Sequence, residues 1–217
     1  MNWTDICARY SKLYTGAIGD VLDHRGLRHQ SLPHWLQAQT VANCVAGPAF
    51  TGQGSPTEDE KSSDMEARLR MLESITPGTV SVWSCGDSRT CAHWGELMST
   101  AARERGCTGA VLDGGLRDTG FVNAMGYPVF AAFRSPGSSI GRWEIKEWGA
   151  PIQIGNTKIH PGDFVFGDID GVVIVPAALT ADVLAEAEDI HAREKGMREE
   201  LRQGVSVKAA FEKYGAM

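Results

Sequence analysis

The stretch GAVLDGGLRDTGF, residues 109–121, constrains the fold more than any other part of the chain. It begins with an apolar run typical of a buried strand and ends where a short helical pattern, DTGFVNAMG, begins. Between them lie three charged residues, Asp113, Arg117 and Asp118, around a Gly-Gly pair. Three charges at the mouth of an apolar core predict a site for a charged ligand.

The remainder of the chain alternates strand and helix patterns up to residue 134. Beyond it, short β-rich runs are broken by Gly-Asn, Pro-Gly and Asp-Gly turns, which predicts hairpins or a small barrel wall before a long charged helix closes the chain. The sequence predicts one α/β domain, residues 1–217, with a mixed sheet and a β-rich second half. The predicted strands span residues 40–52, 79–85, 108–114 and 127–133, and the predicted helices lie within 3–25, 65–75, 94–106, 118–126 and 180–203.

Composition narrows the possible partners and location. The net charge of −6 argues against a nucleic-acid-binding protein, which needs a basic face. No apolar run approaches the roughly 20 residues that span a bilayer, and MNWTDICARYSKL has no signal-peptide core. Five scattered cysteines suit reduced thiols better than disulfides. We therefore expect a cytoplasmic protein that binds neither membrane nor nucleic acid.

Two other patterns are weak indicators of a site. Cys85, Cys91 and His93, with Asp87 as a fourth ligand, lack the paired C-x-x-C spacing of a structural zinc site. The GQG of residues 52–54 lacks the third glycine and the helix of a dinucleotide-binding motif, and therefore predicts a polar loop over 52–64.

Five further residues receive structural interpretations. Asp168 and Asp170 precede a buried strand, as expected of an Asp-Gly hairpin. His160 and His191 have no ligand set around them and are predicted to lie on the surface. Asp113 is predicted to shape the Gly-Gly turn.

The strongest candidate site combines WGELMST with GGLRDTG. Twenty residues separate Glu96 from the pair Arg117-Asp118, which is the length of one helix, a turn and one strand. A right-handed crossover of that length brings the helix start beside the strand end, so we expect Glu96 next to Asp118. In the alternative that spacing leaves open, both acids merely favour helix N-termini and Arg117 pairs with one of them.

The residue types favour an oxoacid and a hard cation. Backbone N–H groups of Leu97 and Met98, at the start of a helix, can bind a carboxylate, and Gly95 leaves room for its approach. Arg117 offers a planar fork to the same ligand. Asp118 is an oxygen ligand of the type Mg²⁺ chooses, and Mg²⁺ often keeps most of its waters.

Almost the whole chain resembles the RraA-like family, which includes class II 4-hydroxy-4-methyl-2-oxoglutarate aldolases that also decarboxylate oxaloacetate. The resemblance rests on TGAIGDVLD, VAGPAFT, PGTVSVW, AHWGELMSTAARERGCTGAVLDGGLRDTGFV, PVFA, HPGDFVFGDIDGVVIVP and the final EKGMR helix. Its most specific motif is an acidic residue that is followed, after twenty intervening residues, by Arg-Asp. It implies the swivelling β/β/α fold.

The resemblance also implies roles for individual residues. Asp118 would ligate Mg²⁺ or Mn²⁺ directly, while Glu96, and Glu194 from a neighbouring subunit, would hold it through water. Arg117 would bind the keto oxygen, and the amides near Gly95, Leu97 and Met98 would bind the carboxylate. Catalysis would therefore rest on Arg117, Glu96 and Asp118.

The implied reaction cleaves a 4-hydroxy-2-oxoacid to pyruvate, or decarboxylates oxaloacetate, through the pyruvate enolate. The implied assembly is a homotrimer or a pair of trimers. The chain departs from the family at Glu96, where the aldolases typically have the shorter Asp. Two alternatives stay open: a protein-binding regulator of a ribonuclease, since some members carry that name, and a metal-dependent lyase or hydratase for another oxoacid.

Overall fold

A computed structural model describes residues 2–59 and 65–215. The N-terminal part of the predicted loop over 52–64 is described, and residues 60–64 lie outside the described residues. No helix within the described ranges is both long and apolar enough to cross a membrane. The helices are α1 Trp3–Tyr10, α2 Thr15–His24, α3 Met65–Ser74, α4 Glu96–Glu104, α5 Thr119–Ala124, α6 Thr180–Arg202 and α7 Val207–Tyr214, with a 3₁₀ turn at Ala177–Leu179.

The strands form one large mixed sheet and one separate hairpin. They are β1 Gln37–Ala38, β2 Val45–Pro56, β3 Val80–Ser84, β4 Ala92–Trp94, β5 Gly109–Leu116, β6 Val129–Arg134, β7 Trp143–Trp148, β8 Ile152–Ile154, β9 Thr157–Ile159, β10 Phe164–Asp168 and β11 Gly171–Val175. The large sheet has the order β1-β6-β5-β3-β2-β10-β11, with β4 added to β5 and β7 to β2, while β8 and β9 pair separately. The predicted mixed α/β fold with hairpins in its second half is confirmed.

The sheet is nearly closed, because the segment before β1 joins its two ends. β1 pairs with β6, and just upstream Leu32 N donates to Val172 O at 2.9 Å and Ile174 N to Gln30 O at 2.8 Å. The interior is filled by apolar side chains that include Leu36, Val82, Val111, Phe130, Ile154, Val165 and Ile174.

β5 lies at the centre of this architecture and all eight of its residues are buried. It runs parallel to β3 on one side and to β6 on the other. Val111 faces the closed interior, whereas Leu112 and Leu116 pack in a second cluster with α4 and α5. Since both faces are covered, the strand is apolar almost throughout, as buried parallel strands are.

A third cluster packs α1, α2 and α6 against β10 and β11, with Tyr10, Ile18 and Phe164 fully buried. Asp168 binds the first residue of α2, because its carboxylate accepts hydrogen bonds from Thr15 N at 2.7 Å and Thr15 Oγ1 at 2.8 Å. The predicted β10–β11 hairpin is confirmed, and Asp168 gains this second contact.

The predicted loop beginning at residue 52 is wrong in its first part, because β2 continues to Pro56 and pairs with β7. The glycines that suggested a loop make room for indole rings. A Cβ at Gly52 would lie 2.4 Å from the Trp83 ring, and one at Gly54 would lie 2.1 Å from the Trp143 ring. Glycines that are needed for close packing thus gave this stretch the composition of a turn.

The predicted Gly-Gly turn around Asp113 is also wrong, since Asp113, Gly114 and Gly115 belong to β5. The pairing of β5 with β6 shifts register there. The glycines serve packing, because a Cβ at Gly114 would lie 2.4 Å from His93 Nδ1 and 2.7 Å from Cys85 Sγ. The Asp113 carboxylate accepts from Cys85 N.

Two predictions near the C-terminus need correction. His191 does not lie on the open surface, because it is half-buried with its Nδ1 enclosed and its ring 5.9 Å from that of Tyr14. His160 is exposed, as predicted. The long helix α6 does not close the chain, since α7 follows it and packs the Tyr214 ring over Gly196.

Candidate active site

The site begins where β5 passes into α5. Arg117 N donates to Trp94 O at 3.0 Å, which fixes the strand end beside β4. The next residue, Asp118, has φ of 58° and ψ of 29°. Few residues adopt this left-handed conformation, although Asp does so more readily than most, and it turns the chain sharply into α5.

A second element reaches the same point. β4 pairs with the end of β5 through Ala92–Gly115 and Trp94–Leu116, so α4 starts directly beside it. Gly95 is extended at the N-terminus of α4, and its carbonyl accepts from Ser99 N at 3.0 Å and Ser99 Oγ at 2.9 Å.

The structure brings Glu96, Arg117 and Asp118 together. Asp118 Oδ2 lies 3.4 Å from Glu96 N and 3.4 Å from Arg117 Nε. A Cβ at Gly95 would lie 2.8 Å from that same oxygen, so a larger residue there would displace the Asp118 carboxylate. The Glu96 carboxylate accepts a hydrogen bond from Thr100 Oγ1 at 2.8 Å.

The alternative is that Glu96 and Asp118 only stabilise the ends of their helices, and the contacts of Asp118 can be compared with it. Arg117 does pair with Asp118. However, within the described α5 the Asp118 carboxylate makes no capping hydrogen bond, and it faces the first amide of α4 instead. Both Arg117 and Asp118 keep about 40% of their side chains exposed, 41% and 42% respectively, so a ligand can reach them.

These residues line a cleft of about 290 Å³ between α3, α4, the end of β5 and residues 138–140. That volume is near the lower end for small-molecule sites. Six of the seven predicted site residues line the cleft, namely Gly95, Glu96, Leu97, Met98, Arg117 and Asp118.

Helix α3 contributes a wall that the sequence interpretation missed. Met65 and Leu69 share a helical spacing with the buried Leu72, but they are 44% and 54% exposed. They line the cleft, together with Arg68. The helical period was therefore correct, whereas the face it identified borders the cleft as well as the core.

His93 lies at the base of the cleft and is 4% exposed. Its Nδ1 accepts the N–H of Gly115 at 2.9 Å, and its ring meets Trp143 edge-on at 5.1 Å. Burial, with smaller contributions from the positive charges of Arg68 and Arg89, lowers the pKa of His93 to about 4. This histidine is therefore neutral at physiological pH.

Cys85 and Cys91, the other members of the weak zinc pattern, lie close to this histidine. Cys91 Sγ is 3.6 Å from His93 Nε2, and burial raises the pKa of the Cys85 thiol. Within residues 2–59 and 65–215, no three His, Cys, Asp or Glu side chains gather as a set that could hold a metal ion. The described part of the chain thus supplies at most a pair of acids to a cation at the cleft.

Glu194 and two arginines, Arg134 and Arg142, are engaged in contacts of their own. Glu194 accepts from Tyr14 Oη and pairs with Arg198 at 2.9 Å, and it does not line the cleft of its own chain. Arg134 Nη2 donates to Gln39 O at 2.7 Å, and Arg142 Nη1 to Ser138 O at 2.9 Å. The predicted role of Glu194 in a neighbouring subunit stays a prediction.

Comparison with known proteins identifies the family. Residues 15–174, most of the chain, match the model of the RraA-like family, described as Aldolase/RraA. The chain belongs to the RraA-like family. The family resemblance drawn from the acid, the twenty residues and the Arg-Asp pair is thereby confirmed.

Individual RraA-like relatives carry different names. A protein of Halalkalibacterium halodurans, provisionally named 4-hydroxy-4-methyl-2-oxoglutarate aldolase, is 29% identical over 96% of this chain and 95% of its own length. A crystal structure described as novel cellulases from gut-associated microbes is 34% identical, with a TM-score of 0.85, covering 90% of this chain and 87% of that one. Streptomyces coelicolor RraAS2, described as an unusual member of the RNase ES inhibitor family, is 26% identical with a TM-score of 0.79, covering 89% and 96%. The names associate this fold with an aldolase, with cellulases and with an inhibitor.

Proposed function

We propose that the protein is a divalent-metal-dependent lyase that cleaves a 4-hydroxy-2-oxoacid to pyruvate and decarboxylates oxaloacetate. The observation that carries the proposal is the convergence of Arg117, Asp118 and the N-terminus of α4 on one cleft. The aldolase names among RraA-like relatives support the same chemistry.

The donors at the cleft suit a hydrated hard cation. Asp118 and Glu96 offer carboxylate oxygens, and Mg²⁺ commonly binds through one or two carboxylates while keeping several waters. Asp118 would hold Mg²⁺ or Mn²⁺ directly, with Glu96 and a neighbouring subunit's Glu194 acting through water. When bound, the cation would supply positive charge where the pyruvate enolate develops negative charge.

The protein's own groups would bind and orient the oxoacid. The amides of Leu97 and Met98 lie in the first turn of α4, where N–H groups lack intrahelical partners and favour an anion. They would hold the substrate carboxylate, while Arg117 would donate to the keto oxygen. Arg117 would thereby stabilise the negative charge that accumulates on that oxygen as the carbon–carbon bond breaks.

Aldol cleavage also requires removal of the proton from the C4 hydroxyl. His93 is poorly suited, because Gly115 N–H occupies its Nδ1 and its pKa is lowered to about 4. Glu96 is the group we assign to that proton transfer, through water, with Thr100 fixing its carboxylate. Decarboxylation of oxaloacetate needs no such base.

The test is pyruvate release from oxaloacetate by the purified protein with Mg²⁺, with Mn²⁺ and with chelator, corrected for catalysis by the metal alone. Enzyme- and metal-dependent release is expected, followed by release from 4-hydroxy-4-methyl-2-oxoglutarate. No release above background from either substrate would overturn the proposal.

Two parallel assays address the other names in the family. Inhibition of a ribonuclease that persists in Asp118→Asn would favour a protein-binding regulator. Hydrolysis of a soluble cellulose derivative without pyruvate release would favour the activity after which the gut-microbe structure is named.

A further inference from the structure

A buried chain of hydrogen bonds runs beneath the first turn of α4. Trp94 Nε1 donates to Ser99 Oγ at 2.9 Å, and Ser99 Oγ in turn donates to Gly95 O at 2.9 Å. The side chains of Trp94 and Ser99 are both buried. Ser99 does not line the cleft, and none of the roles above requires either side chain.

The chemistry of the three groups sets the direction of each bond. An indole N–H can only donate, so Ser99 Oγ must accept from Trp94. The single hydroxyl proton of Ser99 is then left for the carbonyl of Gly95, four residues earlier in the chain. That carbonyl also accepts from Ser99 N at 3.0 Å, so one residue holds it through two hydrogen bonds.

The carbonyl of Gly95 belongs to the same peptide unit as the N–H of Glu96. A trans peptide unit is planar, and its C=O and N–H point in opposite directions. Two bonds to the carbonyl therefore fix the direction of the N–H of Glu96, whose nitrogen lies 3.4 Å from Asp118 Oδ2. The chain of hydrogen bonds thus connects the core with the acid at the cleft.

The backbone at this point needs such a constraint. Gly95, the N-cap of α4, has no side chain with which to hold the first turn, and glycine leaves the backbone more freedom than any other residue. Trp94 holds the neighbouring strand as well, because its carbonyl accepts from Arg117 N at 3.0 Å. The backbone of Trp94 therefore fixes Arg117, while its indole orients the hydroxyl of Ser99.

We propose that Ser99 is a positioning residue, whose hydroxyl, oriented by Trp94, fixes the peptide unit between Gly95 and Glu96 and thereby the Asp118 carboxylate. Ser99 touches neither the substrate nor a metal ion. The inference rests on the proposed function for the reaction that this geometry serves. The effect of Ser99 on the peptide unit and on Asp118 belongs to the fold itself.

Metal binding and turnover test the role of the hydroxyl. Ser99→Ala removes one bond to Gly95 O, so the affinity for Mn²⁺ and kcat/KM for oxaloacetate should each fall about threefold to tenfold, as expected of one hydrogen bond. Ser99→Thr should restore both, because a threonine hydroxyl can reach the carbonyl four residues earlier. The control Ser74→Ala removes a comparable bond, from Ser74 Oγ to Met71 O at 2.7 Å, at a residue that does not line the cleft, and should match wild type.

A double substitution separates positioning from simple stabilisation. Ser99→Ala leaves the buried N–H of Trp94 without its acceptor, which lowers the free energy of unfolding, whereas Trp94→Phe removes that donor. In the Trp94→Phe background, Ser99→Ala should therefore cost less stability than in wild type, yet lower the Mn²⁺ affinity by the same factor. This comparison also serves if Ser99→Ala alone fails to fold. Recovery of the Mn²⁺ affinity together with stability would make Ser99 a structural residue only and overturn the proposal.

The crystal structure of Ser99→Ala supplies a readout that needs neither metal nor substrate. The peptide unit between Gly95 and Glu96 is expected to rotate, and Asp118 Oδ2 to lie farther than 3.4 Å from Glu96 N. An unchanged peptide unit and contact would overturn the proposal. A wild type that binds no Mn²⁺ or releases no pyruvate, with a peptide unit that rotates in Ser99→Ala, would retain the role of Ser99 and overturn the proposed reaction instead.

Discussion

The carboxylate of Asp118 lies 3.4 Å from the backbone nitrogen of Glu96, although a helix, a turn and a strand separate the two residues along the chain. The parallel pairing of β4 with the end of β5 produces this contact. It places the Asp118 carboxylate at the start of α4, the helix that carries Glu96. A negative charge is favourable there because of the unpaired amides and the helix dipole, and the same position makes both acids available to one ligand.

Gly95→Ala tests how closely this geometry must be kept. The new Cβ would lie 2.8 Å from Asp118 Oδ2 and 3.1 Å from Arg117 Cγ, so both side chains must move. Displacement of binding groups by about 1 Å can reduce activity about a hundredfold. We expect a loss of that order in kcat/KM for oxaloacetate, with the thermal unfolding temperature close to that of wild type.

Gly120→Ala is the matched control for that substitution. Gly120 lies in α5, two residues after Asp118, and a Cβ there meets nothing within 4 Å. Alanine in a helix is favoured over glycine by up to about 1 kcal/mol, so this variant should unfold at a slightly higher temperature with activity retained. Equal activity losses at both positions would contradict the proposed requirement for space at Gly95.

Asp118→Asn and Arg117→Ala should each abolish turnover of oxaloacetate. Asn tolerates the left-handed backbone of residue 118, so the turn into α5 should survive while the charge is lost. Loss of one charge-stabilising group typically costs about a hundredfold to a thousandfold in kcat. Circular dichroism checks folding, and near wild-type activity in either folded variant would show that the site is wrongly assigned.

Glu96→Gln should separate the two reactions. The amide can still accept from Thr100 Oγ1, yet it cannot take a proton, so aldol cleavage should fall more than decarboxylation. The two rates are measured on 4-hydroxy-4-methyl-2-oxoglutarate and oxaloacetate with the same preparation. Equal losses in both would remove the proposed role of Glu96 in proton transfer.

Patterns with a single physical cause were predicted well from the sequence. The strand in GAVLDG, the helix after Trp94 and the Arg117-Asp118 junction follow from apolar period and length, and a crossover of twenty residues brings Glu96 to Asp118. Here local preference and tertiary packing agree.

The errors arise where a residue serves a contact distant in sequence. Gly52 and Gly54 have the composition expected of a turn, but they make room for the rings of Trp83 and Trp143. Gly114 was predicted to belong to a turn, yet it lies in β5 and leaves space for His93 and Cys85. Arg68 reads as an ordinary charge on a helix, and only the packing of α3 beside α4 places it in the cleft. Periodicity alone does not distinguish a face that borders a cleft from one that borders the core.

The buried His93 predicts how stability depends on pH. Its pKa is about 4 in the folded protein and near 6.5 when unfolded, so the unfolded chain takes up the proton first as pH falls. The free energy of unfolding should therefore decrease between pH 6.5 and 4, by about 3 kcal/mol from this residue.

The measurement is urea unfolding from pH 7 to pH 4 in wild type, His93→Gln and the control His29→Gln, whose histidine is exposed. Burial raises the pKa of Asp113, which acts in the opposite direction, but the difference between variants at each pH removes that contribution. His93→Gln should be less stable than wild type at pH 7 and approach it toward pH 4, because wild type alone loses the contribution of a neutral histidine. A constant difference across the whole range would mean that His93 does not titrate as its burial requires.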